Sequence, residues 1–209
     1  MRLTSQGKQP PIGIFARDFS VPGALLWIPV PANESIAAVA NLGHPFGMSD
    51  ELTIRSDLRV GDLGRITTLH GETYDPLGGY GLRFEAYVGQ TVAEFVLGND
   101  GCGKVWLAER GTRLVGCTAI VLRDDNIGQL RWVVVDPAER GQGLGGQLVS
   151  NAFDYCKENG CRSVILETTD GLPESQAMYE KLGFEVVSDD SEELWDGPRP
   201  LIIMKKPLP

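Results

Sequence analysis

Val133-Val-Val-Asp-Pro-Ala-Glu-Arg140-Gly-Gln-Gly-Leu-Gly-Gly-Gln-Leu-Val149 is the stretch whose reading decides the fold. Val133, Val134 and Val135 form a wholly apolar β-branched run, the end of a buried strand. From Gly145 to Lys157 the apolar residues Leu148, Val149, Ala152, Phe153 and Cys156 recur at helical spacing, and Gly160 stops the helix. Between strand and helix stand Gly141, Gly143, Gly145 and Gly146. In such a turn successive backbone N–H groups point inward and join the positive end of the helix dipole, which suits a pyrophosphate. Gly141-x-Gly143-x-x-Gly146 also satisfies the dinucleotide fingerprint G-x-G-x-x-G. A dinucleotide loop starts directly at its strand and near the beginning of a domain. Here Asp136 to Arg140 intervene and the loop lies two-thirds along the chain, so the context argues against a nucleotide-dependent oxidoreductase.

Working outward, Leu52 to Ser56 alternates as a strand. Asp62 to Tyr74 and about Leu82 to Leu97 carry apolar residues at helical spacing. Val105–Glu109 and Leu114–Leu122 read as a hairpin around Arg110-Gly111, and Ile127–Val135 as the next strand. Ser163–Thr168 is a buried strand, Pro173 to Leu182 a short helix, and Phe184–Val187 with Leu201–Lys205 the closing strand pair. The order β-α-α-β-β-β-α-β-α-β-β predicts an α/β (α+β) domain with a mixed, mostly antiparallel sheet around one parallel βαβ unit. The acidic run Asp189-Asp-Ser-Glu-Glu193 reads as a solvated loop, with attraction of a cationic acceptor as the alternative.

The chain has 209 residues, 42% of them hydrophobic, and a formal net charge of −9. That length fits one large domain or one ordinary domain with an extension. Residues 1–50, rich in proline and large apolar side chains, read as an extension that packs on the main domain of residues 51–209, with a short helix starting at Asn33. No apolar run approaches the roughly 20 residues of a membrane span, and Lys8, Arg17 and Asp18 spoil a signal-peptide reading, so a cytoplasmic location is expected. A pI near 4.7 argues against nucleic-acid and anionic-membrane partners. Cys102, Cys117, Cys156 and Cys161 form no C-x-x-C pair, and His44 and His70 lie far from them. Buried free thiols are therefore expected, with no metal site and no disulfide framework.

Arg140-x-x-Gly143-x-Gly145 fits the R/Q-x-x-G-x-G/A loop that binds acetyl-coenzyme A, and Tyr179-Glu-Lys-Leu-Gly-Phe184 follows about 40 residues later. Through these two motifs and the element order, residues 52 to about 205 resemble the GNAT family of N-acetyltransferases. A narrower likeness runs through Gly61-Asp-Leu-Gly, His70-Gly-x-x-Tyr74 and Arg83-Phe-Glu-Ala to the acetyltransferase half of proteins that fuse a MarR-type winged helix to this fold. The 50 residues before it are too short for that DNA-binding domain and lack its basic charge.

The resemblance implies the GNAT fold and transfer of an acetyl group from acetyl-coenzyme A to a primary amine of a small molecule, by direct attack in a ternary complex. Arg140, Gly141, Gln142, Gly143, Leu144, Gly145 and Gly146 would hold the pyrophosphate through backbone amides. Val133, Val134 and Val135 would lie along the pantetheine arm as a strand does. Tyr179 matches the family tyrosine near the coenzyme sulfur, as acid for the leaving thiolate or as a hydrogen-bond donor. An amine has a pKa near 10, so a base must take its proton; Glu85, His70 and Glu167 are the candidates. Arg131 and Tyr74 would line the acceptor site, with Arg131 suited to a substrate carboxylate. The family's Asn before the tyrosine helix is missing from Gly171-Leu-Pro-Glu-Ser175, where Ser175 is the substitute. Pairing of the last strands makes a homodimer an expectation of the resemblance. A coenzyme A-binding sensor without turnover and a protein or peptide N-acetyltransferase are the competing readings.

Overall fold

Alternation along the strands and helical spacing between them sort the side chains into two apolar layers with one sheet between. In this computed structural model the described residues are 51–98, 101–195 and 197–209. The expectations for residues 1–50, the extension and its helix, lie outside the described residues. Among the described residues no helix is long and apolar enough to cross a membrane.

The elements are β1 (Leu52–Arg55), α1 (Asp62–Tyr74), α2 (Leu82–Gly98), β2 (Gly103–Arg110), β3 (Arg113–Arg123), β4 (Ile127–Val135), α3 (Leu144–Glu158), β5 (Ser163–Thr168), α4 (Pro173–Lys181), β6 (Glu185–Leu194) and β7 (Gly197–Pro207). The sheet runs β1-β2-β3-β4-β5-β7-β6 and is antiparallel except for the β4–β5 pair. That is the expected GNAT fold, with α3 as the crossover of its parallel βαβ unit.

Each strand divides its side chains between the two layers. In β2, Val105 and Leu107 join the core under α1 and α2 with Ile66, Val88 and Val92. Trp106 and Ala108 face the other way, toward Leu148, Val149 and Ala152 of α3. Leu107, Ile66 and Leu148 have no exposed surface, and burying one such side chain contributes about 1.5–3 kcal/mol. The N-terminus of α1 is fixed by charge: Asp62 accepts from both terminal nitrogens of Arg55 at 2.9 and 2.7 Å, and from the Arg59 N–H at 2.8 Å. Glu109 on β2 holds the Arg55 Nε at 2.9 Å, tying the helix to the sheet.

The acidic run is not a loop. Asp189 to Glu193 belongs to β6 and runs in register with Ile202 to Pro198 of β7. Backbone pairing with the long, apolar-flanked β7 decides this, because an edge strand needs only one partner and tolerates charge.

Candidate functional site

The strand pair that carries the glycine loop comes apart. The parallel ladder joins Ile127 to Ser163 and ends where Leu130 meets Leu166, although β4 continues to Val135 and β5 to Thr168. Beyond that point β5 stays with β7 as far as Thr168–Ile202, while β4 stays with β3 as far as Val135–Gly116. The register shift between Cys117 and Ala119 marks a bulge in β4, where Trp132 and Val133 stand opposite Thr118 alone and Trp132 has a φ of +49°. Bulges bend a strand and increase its twist. Trp132 is held there by its Nε1, which donates to Thr91 Oγ1 at 3.1 Å, and by its edge-on contact with Phe95. Between Arg131 and Val135 the β5-side edge of β4 thus has no strand beside it among the described residues. Its Val133 carbonyl accepts instead from the Tyr74 hydroxyl at 3.4 Å.

The loop after β4 is anchored at its start and open at its end. Asp136 accepts from the Ala138 N–H at 2.8 Å and from Arg113 at 2.7 Å. Glu139 takes both arms of Arg110 at 2.9 and 2.7 Å, a bidentate pair that holds its carboxyl below the usual range. Gly141 and Gly143 have φ of +77° and +81°, the left-handed region that side chains avoid. Gly143 caps α3 without any side-chain hydrogen bond to the helix. Added Cβ atoms at Gly141, Gly143 or Gly146 would meet nothing within 4 Å, so space lies open over these amides. Gly145 faces inward, where a Cβ would sit 3.6 Å from both Met178 Sδ and Val135. Leu144 is buried and Gln142 exposed. Arg140 reaches back, with Nε 3.4 Å from the Val135 carbonyl and Nη1 2.8 Å from Glu174 at the start of α4. An uncapped helix N-terminus, open glycines and one guanidinium together favour a phosphate, and the vacant strand edge beside them suits an extended amide-bearing chain. Coenzyme A has both parts, so the residues present fit it.

Tyr179 comes to this opening from α4. It is 7% exposed, packs edge-on against Phe184, and burial pushes its pKa up, with Tyr74 adding to the effect. Its hydroxyl has no hydrogen-bond partner among the described residues. Burial likewise pushes the Tyr74 phenol up to about 12. Tyr74 belongs to the α1/α2 layer and Tyr179 to the α3/α4 layer; they sense each other where β4 and β5 part. Half-buried Ser175 lies four residues before Tyr179, on the same face of α4.

The other sequence candidates separate. His70 is 3% exposed, donates from Nδ1 to the Ile66 carbonyl at 2.8 Å and stacks with Tyr74, and burial lowers its pKa to about 4. Glu85 lies along α1, its side chain against Gly71. Arg131 is half-buried on β4; its Nη2 donates to the Tyr87 hydroxyl at 3.4 Å and its guanidinium lies 5.5 Å from the Trp132 ring centre. Glu167 is exposed on β5 and accepts from Gln129 Nε2 at 3.3 Å, while Gln129 Oε1 accepts from Arg123 at 2.9 and 2.6 Å. Continuing the β4–β5 register past Leu130–Leu166 sets Arg131 and Glu167 on either side of the opening.

Sequence reasoning missed Gln129, Arg123, Tyr87 and the Glu139–Arg110 anchor, none of which stands in a motif. It also missed Trp195 in the β6–β7 turn, whose ring meets Tyr80, Phe84 and Tyr87 at 5.6, 4.8 and 5.8 Å. The Arg83 guanidinium donates to the Trp195 carbonyl at 3.2 Å, so the turn is tied to the start of α2. Among the described residues no cluster of His, Cys, Asp or Glu could hold a metal ion.

Residues 72–184 match the acetyltransferase (GNAT) family. The chain is 29% identical over 160 residues to glucosamine 6-phosphate N-acetyltransferase 1 of Oryza sativa subsp. japonica, covering 75% of this chain and 92% of that protein. It is 33% identical over 87 residues to glucosamine 6-phosphate N-acetyltransferase of Trypanosoma brucei brucei, where the match covers 39% of this chain and only 57% of the relative's length. Among solved structures, a GNAT-family acetyltransferase of Staphylococcus aureus Mu50 superposes with a TM-score of 0.63 at 17% identity, over 76% of this chain and all of that one. Spermidine N-acetyltransferase of Vibrio cholerae, in complex with CoA and spermine, has a TM-score of 0.58 at 19% identity, over 75% of this chain and 95% of its own. At these identities the structural likenesses speak for the fold.

Proposed function

Because the chain belongs to the acetyltransferase (GNAT) family, we propose that it transfers an acetyl group from acetyl-coenzyme A to the primary amine of a small molecule. The observation that carries this reading is that, among the described residues, the edge of β4 at Val133–Val135 has no strand beside it and lies between an open glycine loop and a Tyr179 hydroxyl without a hydrogen-bond partner. Curated relatives named for glucosamine 6-phosphate, and a structural neighbour named for spermidine, support a small amine as acceptor.

In this reading the amides of Arg140 to Gly146, with the α3 dipole and Arg140, hold the pyrophosphate. Val133 and Val135 pair along the pantetheine, and Tyr74 yields the Val133 carbonyl to it. Ser175 borders the same path. Bound acetyl-coenzyme A supplies an acetyl group activated as a thioester. Tyr179, kept protonated by burial, places an O–H where a departing sulfur anion needs a proton. For the amine proton, Glu167 is the base best placed, since it is exposed beside the opening. His70 is buried and bonded to its own helix, and Glu85 lies against α1.

The test is release of free thiol from acetyl-coenzyme A in the presence of a panel of primary amines, with mass spectrometry of the amine products. Amine-dependent thiol release with a mass gain of one acetyl group supports the proposal. Coenzyme binding without turnover on any amine would support a sensor instead, and acetylation of peptides alone would move the acceptor to proteins.

A further inference from the structure

Opposite residues of an antiparallel pair share a sheet face, and the β3–β4 register places Val121 opposite Gln129 and Ala119 opposite Arg131. Arg123, Gln129 and Arg131 therefore stand together on the α1/α2 face of the sheet, and Glu167 joins them from β5 through Gln129. Several other guanidiniums in this acidic chain meet carboxylates: Arg55 with Asp62, Arg110 with Glu139, Arg140 with Glu174. Arg123 and Arg131 have no carboxylate within 4.0 Å among the described residues. Arg123 is held by the neutral Gln129 amide, itself only 6% exposed, and Arg131 by a phenol and an indole face. Burial and then the Arg131 charge lower the pKa of Arg123, while Glu167 and Asp124 nearby offset part of that effect. A fold with net charge −9 that sets two guanidiniums on one sheet face, neither in direct contact with a carboxylate among the described residues, offers an anion two charged partners. Arg131 lies two residues before Val133, just ahead of the bulge at Trp132, and so at the base of the opening.

We propose that Arg131 and Arg123 form an anion subsite for the acceptor, so that the amine this protein acetylates carries a carboxylate or phosphate on the same small molecule. The proposal rests on the acetyl-transfer reading above and narrows its substrate class to amines such as amino acids or phosphorylated amino sugars. Arg131 is the inner contact and Arg123 the rim contact. Gln129 keeps Glu167 from pairing directly with Arg123, so the arginines stay available while the carboxylate faces the amine.

Two measurements on the full chain separate the proposal from the reading beneath it. The first is calorimetric binding of inorganic phosphate and of acetate, which needs no turnover. Wild type should bind at least one of these anions about ten- to a hundredfold more tightly than R131Q, the range expected for one lost charge-assisted hydrogen-bonding group, with a smaller loss in R123Q. Which anion binds tells phosphate from carboxylate. The second is kcat/KM for acetylation of matched amines, amino acids against their amides and phosphorylated amino sugars against their parents. The charged member of the productive pair should be favoured, and R131Q should erase that preference through a rise in KM for the charged member. Equal anion binding by wild type and R131Q overturns the subsite, as does acetylation that ignores the anionic group. Anion binding that depends on Arg131 without acetylation of any amine would sustain the subsite and remove the acetyl-transfer reading. Thermal melts of both variants show that each is folded before either comparison is made.

Discussion

Removing one oxygen from Tyr179 should move stability and activity in opposite directions. The ring is buried in the α3/α4 layer against Phe184, but its hydroxyl has no partner among the described residues. A buried hydroxyl without a hydrogen bond costs about 1–3 kcal/mol in proteins. Phe fills the same space without that oxygen, so Y179F should be more stable by roughly 1 kcal/mol, a rise in Tm of about 2–4 °C for a chain of this size. If the hydroxyl gives the departing sulfur its proton, the same change should lower kcat by about 10²–10⁴-fold, the usual worth of a general acid. Thermal melting and thiol release on one preparation measure both. A less stable variant with wild-type turnover would refute the argument at both ends, making the hydroxyl a structural group with an unseen partner.

Further predictions follow from other parts of the structure. The unfolded His70 imidazole takes up a proton near pH 6.5 and the folded one only near 4, so between those values the unfolded state binds more protons. Unfolding free energy should then fall by up to about 1.4 kcal/mol per pH unit as pH drops from 6.5 toward 4; urea melts of wild type and H70Q across this window should differ in that slope. Gly128→Ala would drive a Cβ into Cys156 Sγ under the sheet and should cost about 1–3 kcal/mol in urea unfolding. Glu139→Gln releases Arg110 from the start of the loop and should raise KM for acetyl-coenzyme A more than KM for the amine. Glu167→Gln should lower kcat by about 10²-fold or more and abolish the acidic limb of the pH–rate profile; a variant that keeps that limb would return the base role to Glu85.

The elements around the site were legible because local signals and tertiary needs agree there. The Ile127–Val135 run and the Ser163–Thr168 run are bounded by turn residues, and both strands begin and end where the sequence reading places them. The glycine loop announces itself because Gly141 and Gly143 adopt a backbone that other residues avoid. Trp132 adopts a positive φ with no glycine or asparagine to signal it, and its bulge depends on Thr91 and Phe95 from another element. The acidic half of β6 owes its strand to β7, a pairing that charge patterning hides. His70 reads as a base because histidines so often are, yet its helical turn points it into the layer formed by Tyr74 and Phe84. Arg123, Gln129 and Glu167 meet only through the register of three strands, and pairwise register is not written in any one of them.

The central claim is that the opened β4 edge and the glycine loop bind acetyl-coenzyme A. Its most direct test is a thermal-shift titration of the full chain with acetyl-coenzyme A, with NADH and NADPH alongside. At 100 times its dissociation constant a ligand adds about 2.7 kcal/mol, which for a chain of this size is a rise in Tm of about 5–11 °C. The account predicts that rise with acetyl-coenzyme A and none with either nicotinamide nucleotide. A shift with NADH or NADPH, or none with acetyl-coenzyme A, would contradict it.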